Sequence, residues 1–289
     1  MNETNSVLFR RNNSYIPRIA AVHDLCGYGK CSLGVAIPVL SAAGCDVCPV
    51  PTSLFSAHTK FPKFYMHDTT SMLNEYLDAW VEEGIELDAI YSGFLGAPEQ
   101  VASIQRLYRE HPKALRVVDP VMGDGGVMYP TYTQELCDAM KALVDGADIL
   151  TPNLTEASIL TGIPYAGQDL ADEKVNELLD ALLAMGAKCV VLKGIVRDDG
   201  LIRNYVATAS ERGEIASKLL PYMLHGTGDL FAASLLAAVM CGQKIADACE
   251  FAGEFVCASM EITREQPDFE MRGVSFETKL GMITNLLQN

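Results

Sequence analysis

Between residues 18 and 192, short β-type runs alternate with helical segments, and the connections are short. That alternation constrains the fold more than any other feature of the chain. Parallel strands need crossover helices, so the pattern predicts a mostly parallel sheet covered on both faces. Strands are expected at 18–23, 46–50, 88–92, 115–119, 148–150 and 188–192. Helices are expected between them at 32–43, 69–83, 98–111, 133–144, 153–162 and 169–185. Pro51 and Thr52 end the second strand in this reading, and 53–61 is a polar and aromatic loop. Residues 200–207 and 214–219 read as an antiparallel pair, and helices at 230–240, 246–263 and 276–287 close the chain.

At 289 residues, 49% apolar and 20% charged, the chain suits one large α/β domain. The expected organisation is a flexible polar arm over 1–17 and a single domain over 18–289, with no repeat or linker. A net charge of −15 argues against nucleic-acid or anionic-membrane partners, which call for clustered Lys and Arg. No apolar run is long enough to span a bilayer, and the N-terminus lacks the apolar stretch of a secretory signal. Nine cysteines, mostly in apolar segments, read as reduced core residues of a cytoplasmic protein. The one close pair, Cys45 and Cys48, has no second pair at zinc spacing.

Chemistry-bearing residues gather where strands end. His23 and Asp24 follow the first strand, ahead of Gly27-Tyr28-Gly29-Lys30-Cys31-Ser32. A dinucleotide fingerprint fails there because its third glycine position is Ser32, and a phosphate-binding P-loop fails because Cys31 follows Lys30. Asp119-Pro120-Val121-Met122-Gly123-Asp124-Gly125-Gly126 sets two carboxylates before a glycine-rich flap, an arrangement that suits a divalent cation beside phosphates and also an ordinary turn. Asn153 and Glu156 read as a capping pair or as further site residues. Lys193 ends a strand where it can neutralise phosphate charge. His225-Gly226-Thr227-Gly228-Asp229 runs into the apolar stretch 230–240; the glycines leave backbone N–H groups open at a helix start, which favours an anion. Asp229 either caps that helix or acts beside the anion. Strand ends of a doubly wound sheet share one edge, so these groups can meet in one groove equipped for phosphoryl transfer.

Gly226-Thr227-Gly228-Asp229-Leu230-Phe231-Ala232-Ala233 resembles the signature of the ribokinase-like small-molecule kinases. Phe55-Ser56-Ala57-His58-Thr59, Ser92-Gly93-Phe94-Leu95-Gly96, the Asp119–Asp124 run and Thr151-Pro152-Asn153 with Glu156 resemble the pyridoxal kinase branch, in the same order. The resemblance covers residues 18–263. It implies a three-layer α/β/α sandwich with a mostly parallel central sheet, and ATP-dependent phosphorylation of the hydroxymethyl group of a B6 vitamer. It implies Asp229 as the base and the backbone of Gly226, Thr227 and Gly228 as the anion hole. ATP and Mg²⁺ would be served by Asp119, Asp124 and Glu156 as metal-side carboxylates, with Thr151, Asn153, Lys193 and Gly125 near the phosphates. His23, Asp24, His58, Thr59 and Phe94 would face the vitamin, and a homodimer is the expected assembly. Monovalent-cation activation stays open. The family's first strand usually ends in Ser-His, where this chain has His23-Asp24. An Asp there is a feature of the hydroxymethylpyrimidine kinases of thiamine synthesis, the alternative reading within the same fold; a non-catalytic vitamin-binding protein is a third.

Overall fold

A computed structural model describes residues 7–12 and 14–288 of the chain. Strand β1 (Arg18–Cys26), helix α1 (Leu33–Ala42) and strand β2 (Asp46–Phe55) form a parallel βαβ unit in which Arg18 faces Asp46 and Val22 faces Val50. The chain continues through β3 (Met66–Asp68), α2 (Thr70–Glu82), β4 (Ala89–Ser92), α3 (Pro98–Glu110) and β5 (Leu115–Val118). A two-stranded hairpin, β6 (Gly123–Asp124) with β7 (Val127–Met128), precedes α4 (Gln134–Met140), β8 (Ile149–Leu150), α5 (Leu154–Thr161) and α6 (Asp172–Ala184). Then come β9 (Cys189–Val196), β10 (Leu201–Thr208), β11 (Arg212–Lys218), α7 (Thr227–Met240), α8 (Ile245–Thr263), α9 (Phe269–Arg272) and α10 (Leu280–Asn285). The main sheet has the order β11-β10-β9-β8-β5-β4-β1-β2-β3. Its middle pairings are parallel, while β2–β3, β9–β10 and β10–β11 are antiparallel.

Side chains of a strand alternate between faces, and β1 shows the consequence. Ala20 and Val22 join one apolar layer with Leu73 and Leu77 of α2, Ile104 of α3 and Leu179 of α6. Ile19 and Ala21 join the opposite layer with Val35 of α1, Leu235 of α7 and Phe255 of α8. Every residue of α7 from Leu230 to Met240 is buried, so this helix has no solvent face to be amphipathic about. It is the apolar run of the sequence, packed between α1 and α8.

Three expectations change. Strand β2 runs on through Pro51 and Thr52 to Phe55, because β3 pairs only with Ser53–Phe55 and the outer edge at Pro49 and Pro51 has no neighbour awaiting an N–H. Strand β9 passes beyond Lys193 and bends at Gly194, whose φ of 84° is open to glycine, beside an irregularity in the pairing with β10. Helix α7 starts at Thr227, so Thr227, Gly228 and Asp229 form its first turn instead of preceding it. Described residues of the expected arm contact the domain. The Arg11 guanidinium donates to the carbonyls of Ala43 and Gly44 at 2.6 and 2.7 Å, and Leu8 and Phe9 pack on the α1 layer. Residues 1–6 and 13 of that arm lie outside the described residues. Among the described residues no helix is long and apolar enough to cross a membrane.

Candidate active site

A cavity of about 710 Å³ opens beyond the carboxyl ends of β1, β2, β4, β5 and β8. This is where open α/β sheets bind ligands. Asp24, His58, Thr59, Phe94, Asp119, Asp124, Asn153, Glu156, Lys193 and the run Gly226–Asp229 all reach its wall. The separate strand-end motifs therefore converge on one space.

The N-terminus of α7 enters that space without a side-chain cap. Its N-cap, Gly226, has φ 83°, and a Cβ there would lie 2.1 Å from the carbonyl oxygen of Lys30. Both facts demand glycine, and both leave the first-turn N–H groups free of a capping side chain. Asp229, in the same turn, is half-buried in the cavity wall. Burial first, then the charges of Asp119 and Asp24, push its pKa up to about 7; the Ser32 backbone N–H and Lys193 pull the other way. A carboxylate so placed can hold or release a proton near neutrality.

The polar floor is a linked set of charges. Lys193 Nζ donates to Asp119 Oδ1 at 2.8 Å, and the Thr151 hydroxyl donates to the same oxygen at 3.0 Å. Burial works to strip the Lys193 proton, but Asp119 and Glu156 outweigh it and its pKa ends up raised. Asn153 and Glu156 form a reciprocal capping box on α5: Asn153 Oδ1 accepts from Glu156 N at 2.9 Å, and Glu156 Oε2 accepts from Asn153 N at 2.8 Å. Asn153 also donates to the carbonyl of Gly123 at 2.9 Å. Burial raises the pKa of Glu156, with Lys193 opposing it. The capping reading and the site reading of this pair thus hold together, since both residues also line the cavity. Asp124 is exposed on the β6–β7 hairpin, which is latched to α5 by Gly126 N donating to Thr155 Oγ1 at 2.8 Å.

The opposite part of the wall is aromatic. Phe55 and Phe94 meet edge-on at 5.7 Å, and the rings of His58 and His225 lie 4.2 Å apart. Gly29 makes room for His58: its Cβ would fall 2.0 Å from the imidazole Cδ2.

Three expected site residues lie off the wall. His23 points away from the cavity, as strand alternation requires of the residue before Asp24. It is completely buried and packs edge-on against Tyr91 at 4.3 Å. Thr151 is fully buried behind Asp119 and acts through it. Gly125 sits at the hairpin turn with φ 58°, outside the cavity wall. Conversely, the sequence reading missed an apolar end of the cavity built by Leu219, Leu220 and Met223 with Val256 and Met260 of α8. Those α8 positions carry an ordinary helical stripe, and only the fold reveals that part of it faces a cavity.

A mostly parallel sheet between two helical layers, with a glycine-capped helix aimed at a strand-end cavity, is the ribokinase-like architecture of small-molecule kinases. Within it, the chain belongs to the phosphomethylpyrimidine kinase family, whose model matches residues 36–272. Among curated relatives, a pyridoxine/pyridoxal/pyridoxamine kinase of Bordetella avium is 31% identical over 258 residues, covering 85% of each chain. A pyridoxal kinase of Pseudomonas putida is 30% identical and covers 91% of this chain and 98% of its own. Among solved structures, a Bacteroides thetaiotaomicron protein described as a phosphomethylpyrimidine kinase and crystallised with pyridoxal superposes with a TM-score of 0.88 at 32% identity, over 94% of this chain and 96% of that one. The pyridoxal kinase of Lactobacillus plantarum gives a TM-score of 0.86 at 29% identity, over 94% and 98%.

Proposed function

We propose that this protein is a B6-vitamer kinase, which transfers the γ-phosphoryl group of ATP to the hydroxymethyl group of pyridoxal, pyridoxine or pyridoxamine. The observation that carries the reading is Asp229, a half-buried carboxylate whose pKa is pushed up to about 7, in the first turn of an uncapped helix that enters the cavity. The relatives and the pyridoxal-bound neighbour support the substrate class.

In the proposed reaction the vitamer ring lies between Phe94 and the His58–Thr59 segment, with its hydroxymethyl oxygen at Asp229. The triphosphate lies along the floor toward Asn153 and Lys193, and the adenine occupies the apolar end at Leu219, Met223 and Val256. Asp229 takes the hydroxyl proton as the substrate oxygen bonds to the γ-phosphorus and the bond from that phosphorus to the β–γ bridging oxygen breaks. First-turn N–H groups of α7 stabilise the charge on the phosphoryl oxygens in transit. Asp119, Asp124 and Glu156 all line the cavity and offer oxygen donors, the ligand type that a hard divalent cation takes. Mg²⁺ held there would offset the repulsion between phosphates and carboxylates. Lys193, already paired with Asp119, holds that carboxylate in position. A homodimer and a cytoplasmic location belong to the same proposal; all nine cysteines are free, as a reducing compartment would keep them.

Phosphorylation of hydroxymethylpyrimidine is the second reading, favoured by the family's name and by Asp24 at the end of β1. An ADP-release assay across pyridoxal, pyridoxine, pyridoxamine and hydroxymethylpyrimidine separates them. The expected outcome is the highest kcat/KM for a B6 vitamer. A large preference for the pyrimidine reverses the order, and ligand binding without ADP release points to a non-catalytic vitamin binder.

A further inference from the structure

We infer that Asp24 is a specificity-determining residue that accepts a hydrogen bond from a protonated ring nitrogen of the substrate, so that the site selects heteroaromatic alcohols carrying an N–H⁺. The inference rests on the proposed kinase reading for the identity of the alcohol, but its chemistry comes from the cavity.

Asp24 lies in β1 at the point where the pairing with β2 changes register, between His23 and Leu25. It is 4% exposed, and what remains exposed faces the cavity. Its hydrogen-bond partners are the Cys26 thiol at 3.3 Å, the Ser32 hydroxyl and its own backbone N–H, all neutral. Among the described residues no lysine, arginine or histidine forms an ion pair with it. The contrast within the same cavity is Asp119, equally buried, which has both the Lys193 ammonium and the Thr151 hydroxyl. A buried carboxylate without a counter-charge is costly, and burial accordingly raises the pKa of Asp24. A ligand that brings a positive N–H to this position recovers that cost on binding.

The surroundings say what kind of ligand brings it. Phe55 and Phe94, and separately His58 and His225, put aromatic faces into the wall of the same cavity. Such faces take a planar ring by stacking and edge contacts. Asp24 and Asp229 both line this cavity, at the end of β1 and in the first turn of α7. A planar ring can therefore direct its N–H⁺ to Asp24 and its hydroxymethyl group to Asp229. A sugar alcohol offers neither the flat face nor the cation. Protonated pyridine and aminopyrimidine rings share the required chemistry, so Asp24 serves either substrate of the kinase reading and discriminates against their all-carbon analogues.

The test compares pyridoxine with its 1-deaza analogue, in which carbon replaces the ring nitrogen, on the wild-type chain and on Asp24→Asn. Calorimetric binding without ATP is read alongside steady-state turnover. The wild type is expected to bind pyridoxine about tenfold or more tightly than the analogue, on the scale of one charge-assisted hydrogen bond. In Asp24→Asn the two ligands should bind within about threefold of each other. Its KM for pyridoxine should rise about tenfold while kcat at saturation changes less than about threefold. Asparagine keeps the shape and removes the buried charge, so the melting temperature should not fall; an unchanged or higher melt establishes that any loss of discrimination is local. Equal binding of both ligands by the wild type overturns the inference, as does tenfold discrimination retained in Asp24→Asn. Wild-type discrimination without turnover of either ring overturns the kinase reading and leaves the role of Asp24 supported.

Discussion

Two helices start at the cavity wall with the same polarity and opposite solutions. Helix α5 has Asn153 at its N-cap and Glu156 in its first turn, and α7 has Gly226 at its N-cap and Asp229 in its first turn. In each case the acid stands three residues after the cap. At α5 the longer glutamate reaches back to the Asn153 N–H while Asn153 takes the Glu156 N–H, so the end is closed by its own side chains. At α7 glycine has no side chain to offer, and the shorter aspartate accepts from the Ser32 N–H on another element. The difference teaches where a ligand is needed: α5 is complete as it stands, and α7 keeps donors for something that arrives.

The sharpest way to break this comparison is Asp229→Asn. If Asp229 is the base, kcat with pyridoxal should fall by about two orders of magnitude or more. The same variant should be more stable at alkaline pH. Folding raises the Asp229 pKa from 3.8 to about 7, so its favourable contribution is full below 3.8 and lost as pH rises through 7. A thermal melt at pH 8 should therefore show a gain of about 3 °C or more. Wild-type turnover in this variant would reduce Asp229 to a helix-terminal charge. Next in size is Gly226→Ala, where a Cβ meets the Lys30 carbonyl and φ stays positive. It should lower kcat/KM about tenfold or more, together with a lower melting temperature. A variant with normal kinetics would show that the α7 terminus tolerates displacement and does not hold the travelling phosphoryl group.

Asn153→Ala tests the closed end. Loss of the cap should cost about 1 kcal/mol of stability by chemical denaturation, with a smaller effect on kcat than either change at α7. A kinetic loss larger than that of Gly226→Ala would invert the comparison. The smallest expected effect is a pH shift. With Asp229 as base, kcat/KM should rise with pH through about 7 and then level off. Asp24 is one of the charges that hold this pKa up, so Asp24→Asn should move the acid limb to lower pH by less than about one unit. An acid limb that stays in place would show that the two carboxylates do not sense each other.

The layered fold was legible because alternating strand and helix periods survive in the sequence even when boundaries shift. The glycine-flanked start of α7 was legible too, since Gly-Thr-Gly before an apolar run has little local alternative. Facing was harder to read. His23 and Asp24 are neighbours of similar polarity, and a one-residue difference on β1 sends the first into the core and the second to the cavity. Pro51 looked like a strand end because the missing outer neighbour at that edge is a tertiary fact. The apolar end of the cavity was invisible for the same kind of reason. Val256 and Met260 read as core stripe, and only the approach of residues 218–224 turns them into a wall.

His23 carries one further consequence, for acid tolerance. Buried against Tyr91, it has a pKa lowered from 6.5 to about 3 by burial. An unfolded chain gains its proton at mildly acidic pH, and the folded chain does not. The stability that His23 confers is complete above 6.5 and drains away as pH falls through 3. Asp229 works in the opposite direction, as its contribution is lost when pH rises through 7. A mute core histidine on one face of β1 and a reactive carboxylate beyond the other therefore act on opposite shoulders of the pH range, with His225 on the acid side and Glu156 on the alkaline side.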